Sequence, residues 1–124
     1  MKPITQSKRQ KGISAEQTAV NYLKRTGYRI LERNYRKRIG EIDIIAAKEN
    51  TVVFVEVKSL QSESLLVLGQ TISALKKQKL VKICQYWLTE NDKANYNWRI
   101  DFIGLVVDIR GRLKKLKHLQ NAIY

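Results

Sequence analysis

An α/β domain, with a sheet of about five strands flanked by helices, is the fold this sequence predicts. Three observations point to it. Apolar residues recur at helical spacing in two stretches. Runs rich in Ile, Val, Phe and Tyr form one group of three and a later group of two, in the order helix, three strands, helix, two strands. The chain has 124 residues and is 44% hydrophobic, which suits one compact domain with a core of its own.

Residues 1–11 are polar and carry Lys2, Lys8, Arg9 and Lys11, the composition of a flexible basic arm in front of a single domain over residues 12–124. Residues 14–26 read as a helix. Ser14 can cap its start with Gln17 three residues on, and Gly27 can end it. Ala19, Val20 and Leu23 form the inward face, and Glu16 shares that face near the helix start.

Residues 28–38 carry Tyr28, Ile30, Leu31 and Tyr35 and read as a strand that bends near Asn34, then runs into Arg36-Lys37-Arg38. Gly40 allows a sharp entry to the next strand. Residues 41–47 and 52–58 are two strands joined by a tight hairpin over residues 48–51. Residues 60–69 form a loop containing the apolar run from Leu65 to Leu68. A long helix follows over residues 70–90, with Ile72, Leu75, Leu80, Ile83, Trp87 and Leu88 on its buried side and Lys76, Lys77, Lys79 and Lys82 on much of the rest. After a polar loop over residues 91–97, strands are expected over 98–107 and 113–119, with Gly111 in the turn between them.

The charge balance narrows the partners. With 24 Lys+Arg against 11 Asp+Glu, the net charge is +13, a field that attracts polyanions. Nucleic acid is the commonest of these. An anionic membrane is the rival, but no long basic amphipathic helix with an aromatic face supports it. No apolar run is long enough to span a bilayer, nothing resembles a signal peptide, and the single Cys84 can form no internal disulfide; a cytoplasmic protein is expected. Cys84 lies among apolar residues and reads as a small core residue.

The stretch GEIDIIAAKENTVVFVEVKSL, residues 40–60, places Glu41, Asp43, Glu56 and Lys58 inside two apolar strands. A two-residue turn at Glu49-Asn50 pairs Lys48 with Thr51. Counting back, Asp43 then faces Glu56 and Glu41 faces Lys58, whereas a slip of one residue separates the pairs. Apolar residues on both faces imply a sheet covered on both sides. An unpaired carboxylate there costs several kcal/mol or more, so it must pair, neutralise or bind a metal. One lysine cannot neutralise Glu41, Asp43 and Glu56. A hard divalent cation, Mg²⁺ or Mn²⁺, can, with Asp43, Glu56 and the Val57 carbonyl as ligands and Glu16 completing the set or holding a metal-bound water. Lys58 is then placed to reach a phosphate at that ion, and the chemistry is phosphodiester hydrolysis.

Gly40-Glu41-Ile42-Asp43 followed after a hairpin by Glu56-Val57-Lys58 resembles the active-site hairpin of the PD-(D/E)xK nuclease superfamily. More closely, the chain resembles the YraN-like family of bacterial proteins, related to Holliday-junction resolvases, from Gly12 to Phe102. Gly12, Glu16, Asn34-Tyr35-Arg36, the hairpin motifs, Lys76, Arg99 and Asp101-Phe102 are its markers. The resemblance implies a restriction-endonuclease-like mixed sheet flanked by helices. It makes Glu16, Asp43 and Glu56 the metal-site acids and Lys58 the catalytic lysine, with Glu41 part of the same pattern. It also implies branched DNA as substrate and, because resolvases cut two strands symmetrically, a homodimer. Two positions depart from the family: Leu60 stands where an arginine is usual, and Leu65-Leu66 where Phe-Gly is usual.

Plainer readings stand beside these. Asp43, Glu56 and Lys58 also fit a salt-bridge cluster at a sheet end. Glu16 also suits a helix start, and Glu41 can pair with Lys58 or Arg38. Lys76 either reaches phosphate across the cleft or snorkels outward. Lys77, Lys79 and Lys82 form a solvated face that doubles as a phosphate track. Arg36, Lys37 and Arg38 bring positive charge toward the cleft and read as nucleic-acid contacts. Asp101 reads as the partner of a buried donor, Trp87 and Trp98 as core, and His118 has no catalytic role. A nucleic-acid-binding module that keeps the nuclease fold without catalysis is the alternative function.

Overall fold

The computed structural model describes residues 8–60 and 74–122, with the side chains of 8–14 and of Ala74 outside that description. The elements are α1 (Lys8–Arg25), β1 (Arg29–Lys37), β2 (Gly40–Lys48), β3 (Thr51–Leu60), α2 (Ala74–Glu90), β4 (Asn97–Val107) and β5 (Leu113–Leu119). The strands form one sheet in the order β1-β2-β3-β4-β5. All neighbours are antiparallel except β3 and β4, which run parallel with Glu56 opposite Phe102 and Lys58 opposite Gly104. Parallel neighbours need a long crossover, and the connection containing α2 supplies it. Expected and observed orders agree.

Period-two alternation sends β3 side chains to two separate cores. Val52 and Phe54 pack with Leu80, Ile83, Cys84, Trp87 and Leu88 of α2. Val53 and Val55 pack with Ala19, Val20 and Leu23 of α1. The helices thus cover opposite faces of the sheet, which explains why β2 and β3 are apolar on both sides. Cys84 is a buried core residue, and burial raises its thiol pKa.

Three expectations change. The first helix begins at Lys8, six residues before Ser14, so Ser14 lies inside it and caps nothing. Lys, Arg and Gln propagate a helix well and carry it past that local signal. The expected basic arm is otherwise outside the described residues, as are the loop after Leu60, Leu65-Leu66 and Ile72. Leu75 is 61% exposed rather than buried. It lies five residues before buried Leu80, off the stripe, whereas Lys76 lies four before Leu80 and seven before Ile83, on it.

The third change concerns the hairpin. Its register is the expected one, with Lys48 opposite Thr51 and Ile44 opposite Val55, and Glu49 in the turn takes the left-handed φ of 55°. The ladder stops at Ile44–Val55, so the expected cross-strand pairs Asp43–Glu56 and Glu41–Lys58 are not rungs of it. Asp43 interrupts it: its Oδ2 accepts the Val57 N–H at 2.7 Å, in place of a backbone carbonyl.

Candidate metal and phosphate site

Beyond the last rung, β2 and β3 border a cavity of about 320 Å³ lined by Glu41, Asp43, Glu56, Lys58, Lys76 and Lys79, among others. Strand β3 supplies Glu56 and Lys58 from the face that α2 covers. Lys76 and Lys79 come from the first turns of α2. The β2 strand departs from strict alternation here. Ile42 and Ile45 both join the α2-side core, although three residues apart, while Ile44 joins the α1 side. Across from Asp43, between the rungs Arg33–Ile44 and Tyr35–Ile42, Asn34 adopts a φ of 54°. Strand β1 runs on through Asn34, where a bend was expected; the left-handed residue sits opposite the acid that interrupts the ladder.

The two central carboxyls are destabilised as anions. Asp43 is pushed up to about 6, chiefly by burial; the Val57 N–H opposes this, Glu16 and Glu41 repel, and Lys58 attracts. Glu56 is pushed up to about 7 by burial and by repulsion from Asp43, with Lys76 and Lys58 only partly compensating. The attraction of Lys58, and of Lys76 at Glu56, offsets burial and repulsion only in part.

Glu16 is placed differently from the other acids. It does not line the cavity, yet its charge reaches Asp43. Its Oε1 accepts from Asn34 Nδ2 at 3.0 Å and lies 3.4 Å from Arg33 Nε. These holders, and the Val57 N–H, were not singled out as site residues in the sequence. The one available signal was Asn34, a left-handed-tolerant residue in an otherwise strand-like run. Glu41 pairs with Arg36 at 2.8 Å rather than with Lys58 or Arg38. Lys37 pairs with Glu90 of α2 at 2.8 Å, and Arg38 is exposed in the turn before Gly40. Lys58, Lys76 and Lys79 are exposed at the rim.

Asp101 lies elsewhere and is fully buried. It accepts from Arg99 Nε at 3.0 Å, the Asn121 N–H at 3.1 Å and His118 Nε2 at 2.7 Å. An ionised carboxylate only accepts, so His118 carries its proton on Nε2 and its Nδ1 is free to accept from the Tyr22 hydroxyl at 2.8 Å. Arg99 also donates to the Tyr28 hydroxyl at 2.8 Å. Asp101 thus accepts from buried donors, as expected for it, and His118 is one of them.

A metal can be tested against this donor set. Among the described residues no three His, Cys, Asp or Glu groups are close enough to hold an ion together. Mg²⁺ needs fewer, since it keeps several waters and commonly takes one or two carboxylates. Asp43 and Glu56 would supply these. The N–H and C=O of one residue in an extended strand point to the same edge. Because the Val57 N–H faces Asp43, its carbonyl faces the same gap. Two strained carboxylates and a carbonyl are an all-oxygen set suited to Mg²⁺ or Mn²⁺.

Fold and site together define a small α/β protein whose five-stranded mixed sheet opens, between a hairpin and a helix, onto an acid and lysine cavity. The family model described as "Uncharacterised protein family UPF0102" matches residues 15–105, and the chain belongs to this family. Relatives that carry the name UPF0102 protein include one from Persephonella marina, 40% identical over 90% of this chain and 91% of that one. Others are from Alkaliphilus oremlandii, 39% identical over 90% and 95%, and Vibrio campbellii, 39% identical over 94% of both chains. A solved structure, of Pyrococcus furiosus SfsA in complex with Ca²⁺, matches with 16% identity and a TM-score of 0.35 over 90% of this chain. This chain spans 63% of that one, and so weak a likeness does not bear on function. No helix among the described residues is long and apolar enough to cross a membrane.

Proposed function

We propose that the protein is a divalent-metal-dependent endonuclease that hydrolyses DNA phosphodiester bonds, with branched DNA as its substrate. The observation that carries the reading is the pair of half-buried acids, Asp43 and Glu56, held above their ordinary pKa beside an exposed rim of Lys58, Lys76 and Lys79. Such a pair calls for a cation, and such a rim for an anion. Asp43, Glu56 and the Val57 carbonyl would hold Mg²⁺ or Mn²⁺. A bound ion of this kind polarises a phosphoryl oxygen and acidifies a bound water. Lys58 offsets the negative charge that develops on the phosphate during attack. Lys76 and Lys79 receive flanking phosphates, and Arg36 and Arg38 extend the basic rim. Glu16, held by Asn34 and Arg33, adds negative charge behind Asp43 and strengthens its preference for a cation.

The test is cleavage of labelled linear, flapped and four-way-junction DNA with Mn²⁺. Wild type is expected to cut. Lys58→Ala, Asp43→Asn and Glu56→Gln are expected to lose at least about a hundredfold in rate, the scale of one lost electrostatic contact at a reacting phosphate. Undiminished cleavage by Lys58→Ala refutes the role given to Lys58. One observation favours a second reading, a binding module without catalysis: among the described residues no three acidic, His or Cys groups are gathered closely enough to share an ion. DNA binding indifferent to divalent ions, with no form of DNA cut, selects that reading.

A further inference from the structure

We propose that the tip of the β4–β5 hairpin, Ile109 with Arg110, Arg112 and Lys114, is a second DNA-contact element that brackets the cavity on the side away from the β1–β2 turn. The inference rests on the nucleic-acid part of the proposed function and not on its chemistry.

The tip presents Ile109 at its apex, with Leu113 half-exposed at the start of β5. Asp108 opens a β-turn closed by the Gly111 N–H on the Asp108 carbonyl at 2.9 Å, and Gly111 takes a φ of 82°. Asp108 Oδ1 accepts the N–H groups of Arg110 and Arg112, both at 2.9 Å, and its Oδ2 takes Arg112 Nε at 3.0 Å. These bonds fix the turn backbone without help from Ile109. A β-branched residue is a poor choice for such a turn, where Gly, Pro, Asn, Asp and Ser dominate. Ile109 is nevertheless there and is 88% exposed, with residues 109–115 all at the surface. It gives the fold no packing. Arg110 and Lys114, exposed nearby in the chain, add positive charge, while Arg112 is paired with Asp108; an apolar protein partner would not call for that charge.

Register sets where the tip lies. Since β3 and β4 are parallel and Lys58 is opposite Gly104, the C-terminal end of β4 leaves the sheet at the cavity end. β4 continues three residues past Gly104 to Val107, about 10 Å further along at strand rise, and Ile109 sits in the turn beyond it. The β1–β2 turn with Arg36 and Arg38 leaves from that same end, because β2 is antiparallel to β3. The two turns are centred between β1 and β2 and between β4 and β5, so three inter-strand spacings, about 14 Å, separate them. A duplex crossing this end with a phosphate at the cavity would therefore meet basic turns on both sides, spaced by somewhat less than half a helical turn of DNA, about 17 Å. An exposed isoleucine next to Arg110 and close to Lys114 in sequence suits such a partner: cations take phosphates, and aliphatic side chains wedge against exposed base steps.

Fluorescence anisotropy with duplex and four-way-junction DNA, in EDTA so that nothing is cut, tests this. Arg110→Ala/Lys114→Ala is expected to lower the slope of log K against log salt by about 2, one for each phosphate contact. Ile109→Ser is expected to bind about five- to tenfold more weakly with the slope unchanged, and Ile109→Leu to restore affinity. Circular dichroism should show the wild-type fold in each. Unchanged affinity and slope in both variants overturn the proposal. So does a loss confined to vesicles of anionic lipid, which would make the tip a membrane contact. Wild-type DNA binding that depends on the tip, in a protein that cleaves nothing, supports this inference while removing the catalytic one. Metal-dependent cleavage with tip variants that bind normally does the reverse.

Discussion

Replacing Glu56 with glutamine should make the metal-free protein more stable at alkaline pH. The Glu56 carboxyl ionises near 7 in the fold against an ordinary 4.5, chiefly because burial and Asp43 disfavour its charge. A raised folded pKa in an acid means that the folded state holds its proton longer than the unfolded chain does. Its contribution to stability is therefore present at low pH, declines as pH rises from 4.5 toward 7, and is gone above both values. The gap corresponds to about 3 kcal/mol of folding free energy at pH 8.5. The attractions of Lys58 and Lys76 are already contained in it. Glutamine mimics the protonated acid, so the variant should match wild type near pH 4 and exceed it by about 2–3 kcal/mol at pH 8.5.

Urea unfolding followed by tryptophan fluorescence, in EDTA across pH 4–8.5, measures this gap. Trp87 is buried beside Phe54 and reports loss of the core. Millimolar Mn²⁺ should narrow the gap, since an ion bound only by the folded state stabilises it by mass action. A variant no more stable than wild type at pH 8.5, or a gap that does not change with pH, refutes the account of a strained carboxyl pair.

Other consequences can be checked in the same assay. Burial pushes Asp101 upward, but bonds from His118, Arg99 and the Asn121 N–H outweigh it and leave the carboxyl below its ordinary value. Asp101→Asn should therefore cost about 3–5 kcal/mol at pH 7, with the deficit shrinking as pH falls below 3.8 and the wild-type carboxylate itself protonates. Tyr35, pushed up to about 12 by burial and by Glu90, donates to Glu90 Oε1 at 2.5 Å; Tyr35→Phe should lose about 1 kcal/mol, Glu90 keeping Lys37 as partner. Asn34→Ala should lose about 1–2 kcal/mol to its left-handed backbone, and Asn34→Gly clearly less. Both free Glu16 from its amide, so both should weaken Mn²⁺ binding in calorimetry equally.

Much of the fold could be read from local pattern. The hairpin between β2 and β3 was legible because two apolar runs flank a two-residue break, which fixes the register at Lys48 and Thr51. Strand β5 was legible down to its ends. Leu75 was misread because the stripe it was assigned to passes instead through Lys76, an exposed charged residue that lines the cavity rather than the core. The start of α1 was hidden because Ser14 and Gln17 form a plausible cap in a stretch whose neighbours are equally helical. The candidate site was legible as a set of types and spacings: Asp43, Glu56 and Lys58 all line one cavity, although the cross-strand pairs expected from a continuous ladder do not form. Their supports were not. Asn34 and Arg33 meet Glu16 across about 18 residues of chain, and the Val57 N–H meets Asp43 only because a ladder ends there. Such partners depend on tertiary placement, which periodicity does not encode.

The manner in which the ladder ends explains why the acids are strained without the fold failing. A continued antiparallel ladder would bring β2 and β3 to about 5 Å along their whole length and leave no cavity. Asn34 in a left-handed conformation and the broken alternation between Ile42 and Ile45 turn β2 aside at Asp43. The Val57 N–H would then be a buried orphan, and Asp43 satisfies it. That bond stabilises the Asp43 carboxylate in place, yet burial and the neighbouring acids still hold it near 6. Asp43 is thus both the support that lets the strands part and one of the charges that need a cation once they have. A substitution that keeps the acceptor and removes the charge, Asp43→Asn, should preserve the gap while abolishing its appetite for an ion, so shape and electrostatics at this site can be separated in one residue.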